Sequence, residues 1–486
     1  MKLLIILLIP VFVTFICMVF GQKKYISAWA TIIGNSVVFI LCAMLSFNSG
    51  LFVHGRITEL SGWLSCDGLS ALIVLLVSFI GFTASLFSLG YIKEDDKKHS
   101  SGEIQTYYAL YNMFLLSMLA VPLLAHLAII WIAVELTTLL SVFLVGFENT
   151  PKALEAAWKY VVLTCMGAAI ALIGILILYW GLHISGSDQF TWSQLLYSAS
   201  NINPVFLKTG FLFILVGFGT KAGLVPLHTW LPDAHSQAPS PVCALLSGIE
   251  TTTALYVIIR LLPILNKIPG NNSISPWFIA FGLISAGTAA FLLIQVKDYK
   301  RLFAFSTIEH MGIILVAAGL GGEAAHLGAI SQIMAHAVTK SFCFFAAGSA
   351  LLVTGTRDIS SVRGLIRISP IAGISLMAGG LAIAGAPPFA IFFSEFSIIK
   401  AGLAAGHYLI IGGLVIFIAI AFCGIMYQIN KMVFGKPMAV ATPPVQLPSA
   451  CKLTLAITII PIVILGICMP HAVHNLLQLA AVCLGR

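Results

Sequence analysis

Residues 215–239 read LVGFGTKAGLVPLHTWLPDAHSQAP, a run that is apolar on both sides of one lysine, Lys221. A charge at the centre of a membrane helix costs about 2.5–3.5 kcal/mol on insertion scales. A chain that keeps one there has a counter-charge and a task for it. Two glutamates stand in similar surroundings: Glu135 in IIWIAVELTTLLSVFLVGF (129–147) and Glu395 in PPFAIFFSEFSII (387–399). A second buried lysine, Lys340, lies in MAHAVTKSFCFFAAGSALLV (334–353). Spaced ionisable groups inside an apolar bundle are the ingredients of a proton path.

The composition agrees. Hydrophobic residues make up 59% of the chain and charged residues 9%, against about a quarter charged in soluble domains. Apolar runs of about 20 residues, the length that spans a bilayer, recur throughout. The chain reads as an all-α polytopic membrane protein. Its net charge of +8 sits mostly in short loops, where it serves topology rather than nucleic-acid binding. The ten cysteines are scattered, form no C-x-x-C pair and read as small hydrophobes. No P-loop, dinucleotide, haem or iron–sulfur motif occurs, so no cofactor is expected and the chain is expected to carry no redox chemistry of its own. The first twenty residues resemble a signal peptide. The apolar stretch is long for one and no small-residue cleavage site follows, so it reads as the first span.

We count about fourteen spans, near 3–20, 27–47, 68–91, 107–124, 126–147, 156–181, 205–227, 240–262, 275–295, 302–321, 325–353, 370–402, 407–431 and 452–470. Alternate loops on one side carry sixteen Lys and Arg, from Lys23 and Lys24 through Lys97, Arg363 and Lys452. The other side carries six: Lys2, Arg56, Arg260, Lys267, Lys400 and Arg486. The positive-inside rule then puts both termini on the outer face of a prokaryotic inner membrane. Helix breakers fall inside spans 7 and 12: Gly217, Gly219 and Pro226 around Lys221, and Gly385, Pro387 and Pro388 before Glu395. Broken helices at corresponding places point to inverted repeats around an ion path. The expected organisation is N-terminal spans in 1–106, two five-helix repeats in 107–265 and 270–435, and a last span in 436–486.

Glu135 in span 5 is the expected partner of Lys221 in span 7. The pair would be a proton site or, in the plainer reading, a static tie between helices. His228, Asp233 and His235 follow the break; their spacing matches no standard metal site, and proton intake from the inner face is preferred. Span 8 (ALLSGIETTTALYVIIR, 244–260) holds Glu250 and the run Thr251, Thr252, Thr253. These hydroxyls could order water or only bond to their own preceding turn. Glu309 and His310 in span 10, His336 and Lys340 four apart on one face of span 11, and Glu395 in span 12 form a second relay.

Four stretches carry a resemblance: the 221–246 segment with Cys243 where serine is usual, KDYKRLFAFSTIEHMG (297–312), MAHAVTKSFCFFAAG and GAPPFAIFFSEF (385–396). The chain resembles the antiporter-like subunits shared by complex I, Mrp cation/proton antiporters and energy-converting hydrogenases, over spans 3–13. STIEHMG and PKALEAAWKY (151–160) are most similar to the hydrogenase-4 component F branch. The resemblance implies proton-site roles for Glu135, Lys221, Lys340 with His336, and Glu395. It implies a bridging lysine in span 8 where Thr252 stands, with Glu250 or water taking over. It also implies membrane subunits as partners, soluble nickel–iron and iron–sulfur subunits attached indirectly, surrounding lipid, and no long lateral helix. The rival readings are an Mrp-type Na+/H+ antiporter subunit, a complex I membrane-arm subunit, or a scaffold that lost pumping.

Overall fold

The computed structural model describes residues 2–21, 25–94, 99–268, 274–436 and 446–485. Lys23, Lys24, Lys97, Lys98 and Arg486 of the charge pattern lie outside these residues. All fourteen expected spans are helical: Lys2–Phe20, Ile26–Ser46, Gly68–Glu94, Ser101–Leu123, Leu127–Val145, Pro151–Ile184, Pro204–Ala222, Ser240–Leu265, Ser275–Gln295, Tyr299–Leu320, Glu323–Thr354, the pair Pro370–Ile383 and Ala390–Ala404, Tyr408–Phe434, and Ser449–Ile467. Thirteen are long and apolar enough to cross a membrane. The twelfth is the pair of shorter pieces. The sequence reading did not foresee an antiparallel hairpin (Arg56–Glu59 with Leu64–Asp67), a short helix Trp192–Ser198, or a closing helix His471–Gly485.

Local chemistry explains where the spans begin. Span 4 opens on a capping box in which Ser100 and Glu103 bond each other's backbone, satisfying two helix-terminal N–H groups. Spans 6 and 7 open on Thr150–Pro151 and Asn203–Pro204. In each the cap side chain accepts a backbone bond, and proline sits where its missing N–H costs nothing. Asp298 caps span 10 through Lys300 N and Arg301 N.

Burial ranks the helices. Span 8 is wholly enclosed, spans 10 and 11 are more than four-fifths buried, and spans 1, 6, 13 and 14 keep most of their surface outward. Membrane helices gain little from the hydrophobic effect and associate through close packing at small residues. Spans 6 and 7 do so at two levels: a Cβ on Gly167 would lie 2.7 Å from Gly217 O, and one on Gly174 2.5 Å from Gly210 O. Spans 9 and 10 repeat the device at Gly282 and Gly312.

The two breaks differ from the expectation in one respect. Gly217 and Gly219 lie inside the continuous helix Pro204–Ala222; they do not interrupt it. Gly217 is a contact point with span 6. The helix stops at Gly223, whose φ of 79° only glycine adopts freely, and Pro226 keeps it from resuming. In span 12 the break falls where expected. Gly385 has φ 75°, and Pro387 and Pro388 follow before the chain restarts at Ala390.

Apart from the charged residues buried inside the bundle, charge gathers at the two ends. A cavity of about 720 Å³ at one end is lined by Lys152, Lys159, Asp233, Lys297, Arg301 and Arg357. Asp233 accepts from Lys159 at 3.1 Å and from Arg301 at 2.5 Å. Nearby, hydrogen bonds from Ser360 and Ser361 hold the Asp358 carboxyl below its ordinary range. At the other end Arg260 forms a two-pronged pair with Asp67, at 3.1 Å through one nitrogen, and its guanidinium lies over Trp192 and Tyr256. Lys300, counted among the loop charges, is instead buried and donates to Ala238 O at 2.5 Å. Its four-carbon stem lets it tie span 10 to the segment after the first break.

Candidate functional site: a buried polar layer across seven spans

Lys221 is the last-turn lysine of the interrupted helix and is 1% exposed. Its ammonium donates to Val134 O at 2.9 Å and to Thr138 Oγ1. Its carboxylate partner is Glu250, whose Oε1 lies 3.2 Å away. That oxygen also accepts from Tyr160 at 2.6 Å and Thr137 at 3.3 Å. The Tyr160 hydroxyl lies 2.7 Å from Ser141 Oγ, and its ring packs on Trp230. The Trp230 indole in turn donates to Thr220 O at 2.8 Å, a last-turn carbonyl that also accepts from Gly223 N at 3.2 Å.

The expected Glu135–Lys221 ion pair is therefore not formed; Glu250 takes that place. The reason is helical geometry. Val134, Thr138 and Ser141 share the inner face of span 5. Glu135 is one residue on, turned roughly 100° away. It sits half-buried in line with exposed Ile132, Leu139 and Phe143, and its Oε2 has no partner.

Glu250 ends a π-helical turn, Leu246–Glu250, inside span 8. Such turns are rare and recur at functional sites. The three threonines after it bond back to their own helix: Thr251 to Ser247 O, Thr252 to Gly248 O and Thr253 to Glu250 O. Thr252 thus closes on its own turn and bridges no neighbouring helix. The turn carries the crossing instead. The His336 ring contacts Ser247 O at 3.2 Å, and Ser247 Oγ lies 2.6 Å from Thr307 Oγ1.

Beyond this crossing, Lys340 is fully buried and donates to Phe303 O at 2.5 Å and to Ser306 Oγ. No carboxylate lies within 4 Å of it among the described residues. Glu309 is buried with one oxygen unpartnered. The His310 and His336 rings are 5.3 Å apart. Gln332 Nε2 lies 2.8 Å from His310 Nδ1, and Ser394 donates to Gln332 Oε1. Glu395 is placed by the second break: a Cβ on Gly385 would meet its Oε2 at 2.5 Å. Of the residues expected after the first break, His228 is only partly buried. His235 is enclosed with neither ring nitrogen bonded, and burial pushes its imidazole down to about 3.

The structure thus draws Lys221, Glu250, Glu309, His310, His336, Lys340 and Glu395 into one buried layer. It leaves Glu135 and His228 at its margin. Sequence reasoning missed Thr138, Tyr160, Ser247, Ser306 and Gln332. Nothing but direction relative to neighbouring helices marks them, and a single sequence does not carry that.

Residues 124–421 match the family described as NADH:quinone oxidoreductase/Mrp antiporter, transmembrane. The chain belongs to this family. Residues 59–100 match the N-terminal region of complex I chain 5. The hydrogenase-4 component F homolog of Methylacidiphilum infernorum is 36% identical over 408 residues, covering 83% of this chain and 86% of the relative. A subunit of an archaeal membrane-bound sulfane sulfur reductase superposes with a TM-score of 0.88 at 22% identity, over 100% of this chain and 98% of that one. A subunit of the Mrp complex of a Dietzia species gives 0.83 at 17% identity, over 99% and 98%. These two likenesses establish the fold. The chain is an antiporter-like, multi-pass membrane subunit.

Proposed function

We propose that this subunit carries protons across the membrane within a hydrogenase-4 or formate hydrogenlyase-type complex, with redox chemistry on nickel–iron and iron–sulfur subunits elsewhere. The observation that carries the reading is the enclosed Lys221–Glu250 pair at the end of an interrupted helix. A buried ion pair is a poor source of stability, because desolvation offsets most of the attraction. Its retention is explained by a proton that moves. The π turn, His336, Lys340 and the His310–Gln332–Ser394 chain continue the polar layer to the second break. The two ends of the path are assigned to the two halves of the chain, 107–265 and 270–435, with the cavity around Asp233 facing the cytoplasm. The similarity to a hydrogenase-4 component F homolog favours hydrogenase partners over an Mrp assembly.

The purified complex in sealed vesicles with an internal pH dye tests this. Turnover should acidify the lumen, and Lys221→Ala should abolish that while leaving the complex assembled. Undiminished acidification by assembled Lys221→Ala complex would reduce the pair to a structural tie. Co-purification of a nickel–iron subunit supports the hydrogenase assignment. Small multi-span partners alone would replace it with an Mrp-type antiporter.

A further inference from the structure

We propose that Gln332 is a positioning residue of the second relay, its side-chain amide turning over when His310 takes a second proton. The inference rests on the proton-carrying role above and adds to it a residue and a mechanism. Gln332 is wholly buried on span 11 and touches a different helix at each end of its amide. Its Nε2 donates to His310 Nδ1 on span 10 at 2.8 Å. Its Oε1 accepts from Ser394 on the second half of broken span 12. With Nδ1 accepting, the His310 proton is on Nε2, which donates to Ile383 O at 3.1 Å. Ile383 is the last residue before the break, so this is a helix-terminal carbonyl with no further helical partner. His310 is therefore a fully bonded neutral ring.

A second proton on Nδ1 would place N–H against N–H. Turning the amide by half a revolution removes the clash. Oε1 then accepts from Nδ1–H, and Nε2 donates to Ser394 Oγ. The Ser394 hydroxyl keeps an acceptor, because Ile391 O is 2.9 Å and Ala390 O 3.3 Å away. No buried polar atom loses its partner in either state, which is the condition for exchange at low cost. One proton on His310 is in this way felt by both pieces of span 12, beside the Glu395 carboxylate.

The charged and titratable groups around His310 come from few elements. They are Glu309 on its own helix, His336 and Lys340 on span 11, and Glu395 on span 12. Span 9 contributes no charged residue, span 13 only Lys431 in its last turn, span 8 Glu250, Tyr256 and Arg260, and helix Trp230–Gln237 Asp233 and His235. An amide, itself uncharged, is the group placed to sort these charges.

The test uses the full complex in vesicles. Gln332→Glu presents only acceptors and favours doubly protonated His310, so the pH profile of proton transport should move to the alkaline side. Gln332→Leu leaves Nδ1–H without an acceptor and should move it to the acid side. Opposite displacements of about one pH unit each are expected. Unchanged profiles, or displacement of both in one direction, would overturn the proposal whatever the rates. Nitrogen-15 NMR of the unmodified complex supplies a second reading that needs no variant. The Gln332 side-chain amide signal should shift with the same midpoint as His310 Nδ1, and independent behaviour of the two would also overturn it. An unmodified complex that moves no protons would sink the proposed function, while the NMR result would still judge Gln332.

Discussion

Glu250 receives three donors on one carboxylate oxygen and none on the other. The loaded oxygen is held in place by its donors; the bare one is where a proton or a water can arrive. Glu250→Gln removes the only carboxylate among the described residues within 4 Å of the Lys221 ammonium, and stranding one member of a buried pair costs about 3–5 kcal/mol. We expect proton transport to fall by about a hundredfold or more, the range of a lost proton-transfer group. Glu135→Gln should lose much less. Vesicle acidification, normalised to assembled complex, measures both; equal losses would return Glu135 to the central role. The sequence made Lys221, Lys340 and the histidines legible, because a charge among apolar residues is conspicuous in one dimension. It misassigned the partner of Lys221 because Glu135 and Glu250 are equally conspicuous. Only rotation about the helix axis, fixed by packing, separates them.

At the scale of the element, Gly217 and Gly219 of span 7 are unequal. A Cβ on Gly217 would lie 2.4 Å from Ala171 N, whereas one on Gly219 meets only the flexible end of Leu224 at 3.2 Å. Gly217→Ala should force spans 6 and 7 apart and lower the yield of assembled chain. Gly219→Ala should be tolerated, and helix propensity alone favours it by about 1 kcal/mol. Membrane-fraction yield and thermal melting of the detergent-solubilised complex distinguish them, and equal behaviour would contradict the close approach seen here. The span boundaries were readable to within a few residues because hydropathy and capping residues mark them. The role of each glycine was not. Interrupting a helix and packing it closely call for the same residue, and only φ tells them apart.

At the scale of the whole molecule, basic residues from distant loops gather at two ends: Lys152, Lys159, Lys297 and Arg301 at one, and Arg56, Arg260 and Lys267 at the other. By the positive-inside rule the first group is expected to face the cytoplasm. In a background without native cysteines, Lys152→Cys should react with a membrane-impermeant maleimide only in inside-out vesicles. Lys267→Cys should react only in right-side-out ones. The reverse pattern would invert the proposed direction of the path. The bundle was legible from hydropathy alone, since apolar length is a local property. The ranking of helices was not, and neither was the closing helix His471–Gly485, whose partners in spans 3 and 11 lie far away in sequence; the four-residue strands of the hairpin at Arg56–Glu59 are too short to show a period.

The π turn at Leu246–Glu250 has a bearing on chain length. A π turn stores one residue beyond what an α-helix needs for the same rise, and here it lies between the α-helical flanks Ser240–Leu245 and Thr251–Ile259. A chain shorter by a single residue there could keep both flanks in register against their neighbours. It would lose only the widened turn and the displacement of Ser247 from Glu250. A one-residue gap at this point of span 8, unlike a gap anywhere else in that helix, would leave the bundle as it is and alter the crossing between its two relays.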